Sequence, residues 1–336
     1  MVDNVRYRLI GANGSPYSLK MRALMRYRRL AFDWVMRTAE VRAELADLRP
    51  QLIPVLHYPD GSYHFDSTKL IFDLEDRHPA ARSVIPDDPG QAFLALLIED
   101  MADEWLTKAM FHYRWHYEAS QDFASRWIAN DSFSHLQGTA RAEMAATMKA
   151  RQIGRMHLVG CTPENKPVIE ASYERVLDAL NAALDSRRYL FGGRPSLAEF
   201  GLFGQLKVLA DDPTPMAVMR GRAGNLVDWL RFLDDASGVT GDWQAPDAAT
   251  GDGVTGLLAL CGAAYLPFLA ANSRALDNGD EAAELEIFGR PYRQPPFGYQ
   301  AKCLAVLRAE FAKLGAAARA RIDPLLEDAA CLRYLV

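Results

Sequence analysis

The sequence predicts a small α/β domain in the order β-α-β-α-β-β-α, residues 1–85, followed by an all-α helical bundle, residues 90–336. Three observations predict this. Short apolar runs of strand length alternate with amphipathic runs of helix length up to Arg77. Pro79, Pro86 and Pro89 then cluster in a polar segment that reads as a linker. Beyond it, apolar spacing is helical almost to the end. A chain of 336 residues with 49% hydrophobic and 24% charged residues has enough apolar material for both domains.

Val5 to Ile10 alternates apolar residues with Arg6 and Arg8, which suits a strand. Ser15 and Pro16 then open a helix, because serine caps free amides and proline is pre-set for the first helical turn. Tyr17, Met21, Leu24 and Met25 share its apolar face, with Lys20, Arg22, Arg26 and Arg29 mostly elsewhere. Phe32 to Met36 is a second strand, and Glu40 to Leu48 a short helix or irregular connection. Within Gln51 to Leu56 an apolar third strand begins at Pro54. The Asp60-Gly61 turn leads to a fourth short strand that stops at Asp66, and a helix runs from Thr68 to Arg77.

In the second half the spacing predicts helices over Gln91–Tyr117, Phe133–His157, Pro167–Ser186, Leu197–Ala210 and Ala223–Leu233. Ser196 with Glu199 matches a capping box, in which each side chain satisfies the other's backbone amide. From residue 250 on, Val254–Leu276 reads as a buried helix, Glu284–Gln294 as a hairpin or extended excursion, and Gly298–Leu314 and Ala316–Leu326 as further helices.

The net charge of −5 argues against a nucleic-acid partner, which needs a phosphate-neutralising surface. The four cysteines, Cys161, Cys261, Cys303 and Cys331, are widely spaced, so neither a disulfide framework nor a zinc site is expected. His112 and His116 lie four apart, but no HExxH glutamate accompanies them and no metal is expected. The first residues lack the basic and apolar regions of a signal peptide, and no uninterrupted apolar run reaches membrane-span length. A reduced, cytoplasmic location and no membrane partner are the expectations.

Four motifs in order carry a resemblance. They are Gly14-Ser15-Pro16-Tyr17-Ser18-Leu19-Lys20-Met21-Arg22, Ile53-Pro54-Val55-Leu56, Asp66-Ser67, and Pro195-Ser196-Leu197-Ala198-Glu199-Phe200. Across roughly residues 5–235 they resemble the glutathione S-transferase family, whose fold is a thioredoxin-like α/β domain followed by a helical domain. Residues 250–336 extend beyond the usual pattern. The resemblance implies a glutathione-binding enzyme in which the glutathione thiolate attacks a small hydrophobic electrophile. The alternatives are a non-catalytic scaffold of the same fold and a glutathione-dependent isomerase or thioether lyase. It also implies a homodimer.

A free thiol ionises near pH 8.5, so the site must favour the anion. A hydroxyl donor and a helix N-terminus both do so. The resemblance places Ser15 in that role, with Ser18 and Tyr17 as alternatives in the same turn. It gives the residue before a cis-proline, Ile53 before Pro54, an unpaired backbone edge on which a peptide-like ligand adds as a strand. Asp66 and Ser67 would hold the γ-glutamyl end, through an acceptor for ammonium and helix N-terminal groups for carboxylate. Leu52 stands where many relatives carry Lys or Gln for the glycyl carboxylate, so Gln51 and Arg49 are the nearby substitutes. Tyr17, Trp105, Lys108 and His112 are the candidates for the electrophile wall, against the plainer reading of aromatic core.

Overall fold

A computed structural model describes residues 6–79 and 82–336; the expected strand start at Val5 lies outside them. Four strands form one sheet in the order β2-β1-β3-β4: β1 (Tyr7–Gly11), β2 (Phe32–Met36), β3 (Val55–His57) and β4 (Tyr63–Phe65). β1 runs parallel to β2, which requires the crossover helix α1 (Pro16–Tyr27). β3 pairs antiparallel with both β1 and β4. The β3–β4 turn holds Gly61 at φ +87°, a conformation that glycine takes without steric cost. Helices α2 (Ala39–Glu44) and α3 (Ser67–Arg77) complete the predicted thioredoxin-like order.

The helical domain begins with α4 (Pro89–Met101), which passes through a π-helical turn (Ala102–Leu106) into α5 (Thr107–His116). The single long helix expected here is therefore continuous but wider at its centre. Then come α6 (Glu118–Ser132), α7 (Gly138–Gly154), α8 (Lys166–Leu184), α9 (Leu197–Asp211), α10 (Pro213–Arg222) and α11 (Gly224–Asp234). Helices α6 and α10 are absent from the sequence expectation, and α7 starts five residues later than Phe133. The capping box at the head of α9 is present with both reciprocal bonds.

The extension is built of α12 (Asp252–Leu260), a second π turn (Cys261–Tyr265), α13 (Leu266–Asn278), a hairpin of β5 (Ala283–Ile287) and β6 (Arg290–Gln294), then α14 (Gly298–Ala312), α15 (Ala316–Asp328) and α16 (Leu332–Leu335). By length and composition alone, the run Asp252–Asn278 is apolar enough to cross a membrane, and 67% of its most apolar window is buried inside this fold. It lies along α8 and is covered by the chain end. At Gly262 an added Cβ would stand 1.7 Å from the carbonyl of Ala329, so only glycine lets the C-terminal segment close there.

One feature of α1 departs from the amphipathic reading. It is sandwiched, with the sheet and α3 on one side and α9 and α11 on the other, and its expected polar side faces the helical domain. Lys20 is accordingly 0% exposed. An added Cβ at Gly204 of α9 would lie 2.5 Å from the carbonyl of Pro16, so the two helices meet backbone to backbone just behind the head of α1.

Candidate functional site

Three chain segments leave the sheet at one edge. Ile10 lies opposite Val55, and Val55 opposite Phe65, so these residues form one row across β1, β3 and β4. The next residues outward are the Gly11–Ser15 loop, the Ile53-Pro54 pair and Asp66-Ser67. Adjacent strands are about 4.8 Å apart, which brings motifs some fifty residues apart in sequence onto a single short edge.

Ser15 is the N-cap of α1, and its Oγ accepts the Ser18 amide at 3.3 Å. Its own O–H has no acceptor among the described residues, so capping leaves the proton available to a ligand. No acidic residue lies in the first turn. The two alternative hydroxyls are placed differently. Ser18 is fully buried beneath Gly11 and its Oγ has no partner among the described residues. Tyr17 donates to the carbonyl of Asp103 at 3.0 Å and lies 3.3 Å from Thr107 Oγ1, joining α1 to the π turn. Burial, then Glu104 and Asp103, pushes the Tyr17 phenol well above its ordinary pKa, so it stays protonated.

The Ile53–Pro54 peptide bond is cis, as is Arg49–Pro50. Neither the N–H nor the C=O of Ile53 is paired among the described residues, which leaves a short backbone edge. Leu52 is 53% exposed and apolar. Arg49 turns back to the carbonyls of Ala46 and Leu48. Gln51 instead meets a residue that sequence reading passed over: Arg37, just after β2, donates to Gln51 Oε1 at 3.5 Å. Arg42 lies beside it and donates to the Arg37 carbonyl at 3.3 Å. No carboxylate pairs with either guanidinium among the described residues, and Arg37 Nε is buried without a partner. Burial, then Arg42, lowers the Arg37 pKa. Arg42 also donates to the Ser132 carbonyl at 3.4 Å and lies over the Phe133 ring, so Arg37, beside Gln51, is the cation suited to an anion at this end of the site. In sequence Arg37 looks like any surface arginine after a strand.

Asp66 has φ +81°, a conformation that costs a non-glycine residue about 1–3 kcal/mol. Its side chain does not cap α3, so the first amides of that helix are free of a side-chain acceptor. One carboxylate oxygen, Oδ2, receives Lys69 at 3.2 Å and the phenol of Tyr299 at 3.3 Å, and Oδ1 has no partner among the described residues. The Ser67 hydroxyl points inward, where Lys20 Nζ donates to it at 3.3 Å. Lys20 also pairs with Glu99 and, at 2.6 Å, with Asp103, while Thr68 donates to Glu99 at 2.6 Å. This buried network ties α1, the head of α3 and α4 together directly behind the edge. Burial works against the Lys20 charge, but Asp103 and Glu99 more than offset it and its pKa ends above the ordinary range. Burial pushes the Asp103 carboxyl up to about 7 against the pull of Lys20.

Trp105, Lys108 and His112 lie on the side of the helix turned from this edge. Trp105 donates to Ser172 at 3.0 Å and packs on Phe268 and Tyr292 of the extension. Lys108 Nζ donates to Gln294 Oε1 at 2.5 Å, and burial lowers its pKa to about 8. His112 Nε2 lies 3.0 Å from Glu170 of α8. All three are core, so of the four expected wall residues only Tyr17 borders the loop. The helix that does approach it is α6. An added Cβ at Gly14 would lie 3.2 Å from Trp127 and 3.3 Å from Ile128, and Asn13 donates to Asp131 at 2.9 Å.

A thioredoxin-like domain with a cis-proline edge is here joined to an all-helical domain whose helix α9 carries a capping box. The family model described as "Glutathione S-transferase, N-terminal domain" matches residues 9–82, and that described as "Glutathione S-transferase, C-terminal domain" matches residues 139–232. Together they span half of the chain, which belongs to the glutathione S-transferase family. Among solved structures the chain is similar to a glutathione S-transferase from Methylobacterium radiotolerans in complex with glutathione sulfonate, at 21% identity and a TM-score of 0.43, over 73% of this chain and 100% of that one. It is also similar to the beta-etherase LigF from Sphingobium sp. strain SYK-6, at 19% identity and a TM-score of 0.47, over 68% of this chain and 94% of that one. A third similar structure is a glutathione S-transferase from Methylobacillus flagellatus with glutathione bound, at 21% identity and a TM-score of 0.40, over 67% of this chain and 93% of that one. No curated protein matches the chain.

Proposed function

We propose that this protein is a glutathione transferase that binds glutathione along the shared edge and directs its thiolate at a small hydrophobic electrophile. The convergence of Ser15, Ile53-Pro54 and Asp66-Ser67 at one end of the sheet is the observation that carries the reading. Ser15 donates its O–H to the thiolate, and the positive end of α1 adds to the effect. The cysteinyl unit pairs with the N–H and C=O of Ile53 beside Pro54. Asp66 Oδ1 takes the γ-glutamyl ammonium, and the free amides at Ser67 take its carboxylate. The glycyl carboxylate goes to Arg37 with Gln51, in place of the polar residue absent at Leu52 and of Arg49. Tyr17 and the Trp127-Ile128 face of α6 border the electrophile. The thiolate sulfur attacks the electrophilic carbon, a C–S bond forms and the leaving group departs with the bonding electron pair. A cytoplasmic homodimer accompanies this reading, and sedimentation of the full chain checks its second half.

The thiolate role is tested by the ultraviolet absorbance of bound glutathione as a function of pH. The wild type is expected to hold the thiol ionised at neutral pH. Ser15→Ala should return its pKa toward the free value near 8.5, a rise of about 1–2 units. An unchanged titration in Ser15→Ala would remove Ser15 from the chemistry.

Arg37→Ala is expected to weaken glutathione about tenfold, the size of one charge-assisted hydrogen bond. Affinity for glutathione ethyl ester, whose glycyl carboxylate is masked, should not change. Equal losses for both ligands would contradict the assignment.

A further inference from the structure

The extension touches the α/β domain through a single side-chain hydrogen bond among the described residues, and that bond ends on Asp66. Tyr299, the second residue of α14, donates to Asp66 Oδ2 at 3.3 Å. The turn that carries it is fixed from below. Asn272 of α13 bonds both the N–H and the C=O of Phe297, at 2.8 and 3.0 Å. The Gln300 amide donates to Glu104 at 3.3 Å and accepts from Gln294 at 3.4 Å. Tyr299 itself is 41% exposed, so its ring is held by this anchored backbone and not by core packing around it.

The same pattern repeats on the helix from Pro89 to His116. Tyr265 donates to Asp100 at 2.5 Å and Gln300 to Glu104, so each of the three carboxylates Asp66, Asp100 and Glu104 is held by a side chain of the extension. Both Lys69 and Tyr299 occupy Oδ2 of Asp66, and its side chain is only 13% exposed. The remaining oxygen, Oδ1, is therefore presented in a fixed direction with no donor among the described residues. An oriented carboxylate with one unoccupied oxygen is the chemistry that selects a primary ammonium.

We propose that Tyr299 is a positioning and specificity residue of the ligand site, which orients Asp66 so that the site selects ligands carrying a free α-amino group. The inference rests on the glutathione reading above and adds to it a residue from outside the family-matched segments. The extension thus completes the γ-glutamyl subsite within one chain.

Calorimetric titration of the full-length protein with glutathione and with its deamino analogue, which lacks only the γ-glutamyl amino group, tests it. The wild type is expected to prefer glutathione. Tyr299→Phe keeps the ring and is expected to lose roughly five- to tenfold in glutathione affinity while leaving the deamino analogue unaffected, which collapses the preference. Asp66→Asn should do the same, and the double variant should lose no more than Asp66→Asn alone. Equal losses for both ligands, or no loss, in a Tyr299→Phe protein that melts like the wild type would overturn the role of Tyr299 and leave the glutathione reading standing. Failure of the wild type to bind glutathione would overturn both.

Discussion

Lys20→Met is expected to destabilise the protein by about 3–5 kcal/mol, the range for removing one partner of a buried ion pair. The lysine has no exposed surface and is the cation for Glu99 and Asp103, both enclosed between the domains. Among the described residues, Glu99 already has one oxygen without a partner. Methionine fills the volume but leaves two carboxylates facing each other, so the variant folds only with at least one of them protonated. Burial already raises Asp103 to about 7 in the wild type, against about 4 in an unfolded chain. A carboxyl whose folded pKa is raised penalises folding progressively as pH rises through the unfolded value, and in full above the folded one. The deficit of Lys20→Met should therefore be larger at pH 8 than at pH 5. Urea denaturation at the two values measures it, and a deficit that shrinks with rising pH would contradict this view of the network. Because Lys20 also holds the Ser67 hydroxyl, the variant reaches the site as well as the core.

Glu199→Ala is expected to cost a similar amount, about 3–5 kcal/mol, for a different reason. The fully buried carboxylate accepts the Leu190 amide at 2.5 Å through Oε1, and the Ser196 amide and hydroxyl at 2.8 and 2.5 Å through Oε2. Alanine leaves three donors unsatisfied in the core. Glu199→Gln keeps an acceptor oxygen and should fall between the two, which separates hydrogen bonding from volume in thermal melts. The consequence extends beyond α9, since Gly201 and Gly204 of that helix set its approach to α4 and α1. A loosened α9 is expected to relax the position of Ser15.

Local signals carried much of the fold. Strand β2 lies at Phe32–Met36 as expected, Ser15 and Pro16 open α1, the hairpin of the extension begins at Ala283, one residue before the predicted stretch, and ends with it at Gln294, and the capping box closes as Ser196 and Glu199 imply. Each of these is decided within a few residues. What escaped depends on distant partners. Helix α6 buries only small side chains, Ser120, Ala124, Ser125 and Ala129, so it has no strong apolar stripe to read. Helix α10 starts at Pro213 and holds Pro215, both of which read as loop signals. The burial of Lys20 is settled by carboxylates 79 and 83 residues away.

The site divides the same way. The cis bond at Pro54 and the strand-to-helix junction at Asp66-Ser67 were legible because short motifs hold them. The wall was not, because the helix from Pro89 to His116 is apolar on several faces, and the extension covers the face bearing Trp105 and Lys108. Arg37 becomes visible only when the β2 end and the Gln51 loop are brought together in space.

Glutathione binding at this edge is measured most directly by calorimetric titration of the 336-residue chain with glutathione at neutral pH. The edge formed by Ile53, Asp66 and Ser67, with Arg37 at one end, predicts saturable binding of one glutathione per chain with a dissociation constant in the millimolar range or below. Absence of any saturable heat at tens of millimolar glutathione, from protein that melts cooperatively, would contradict it.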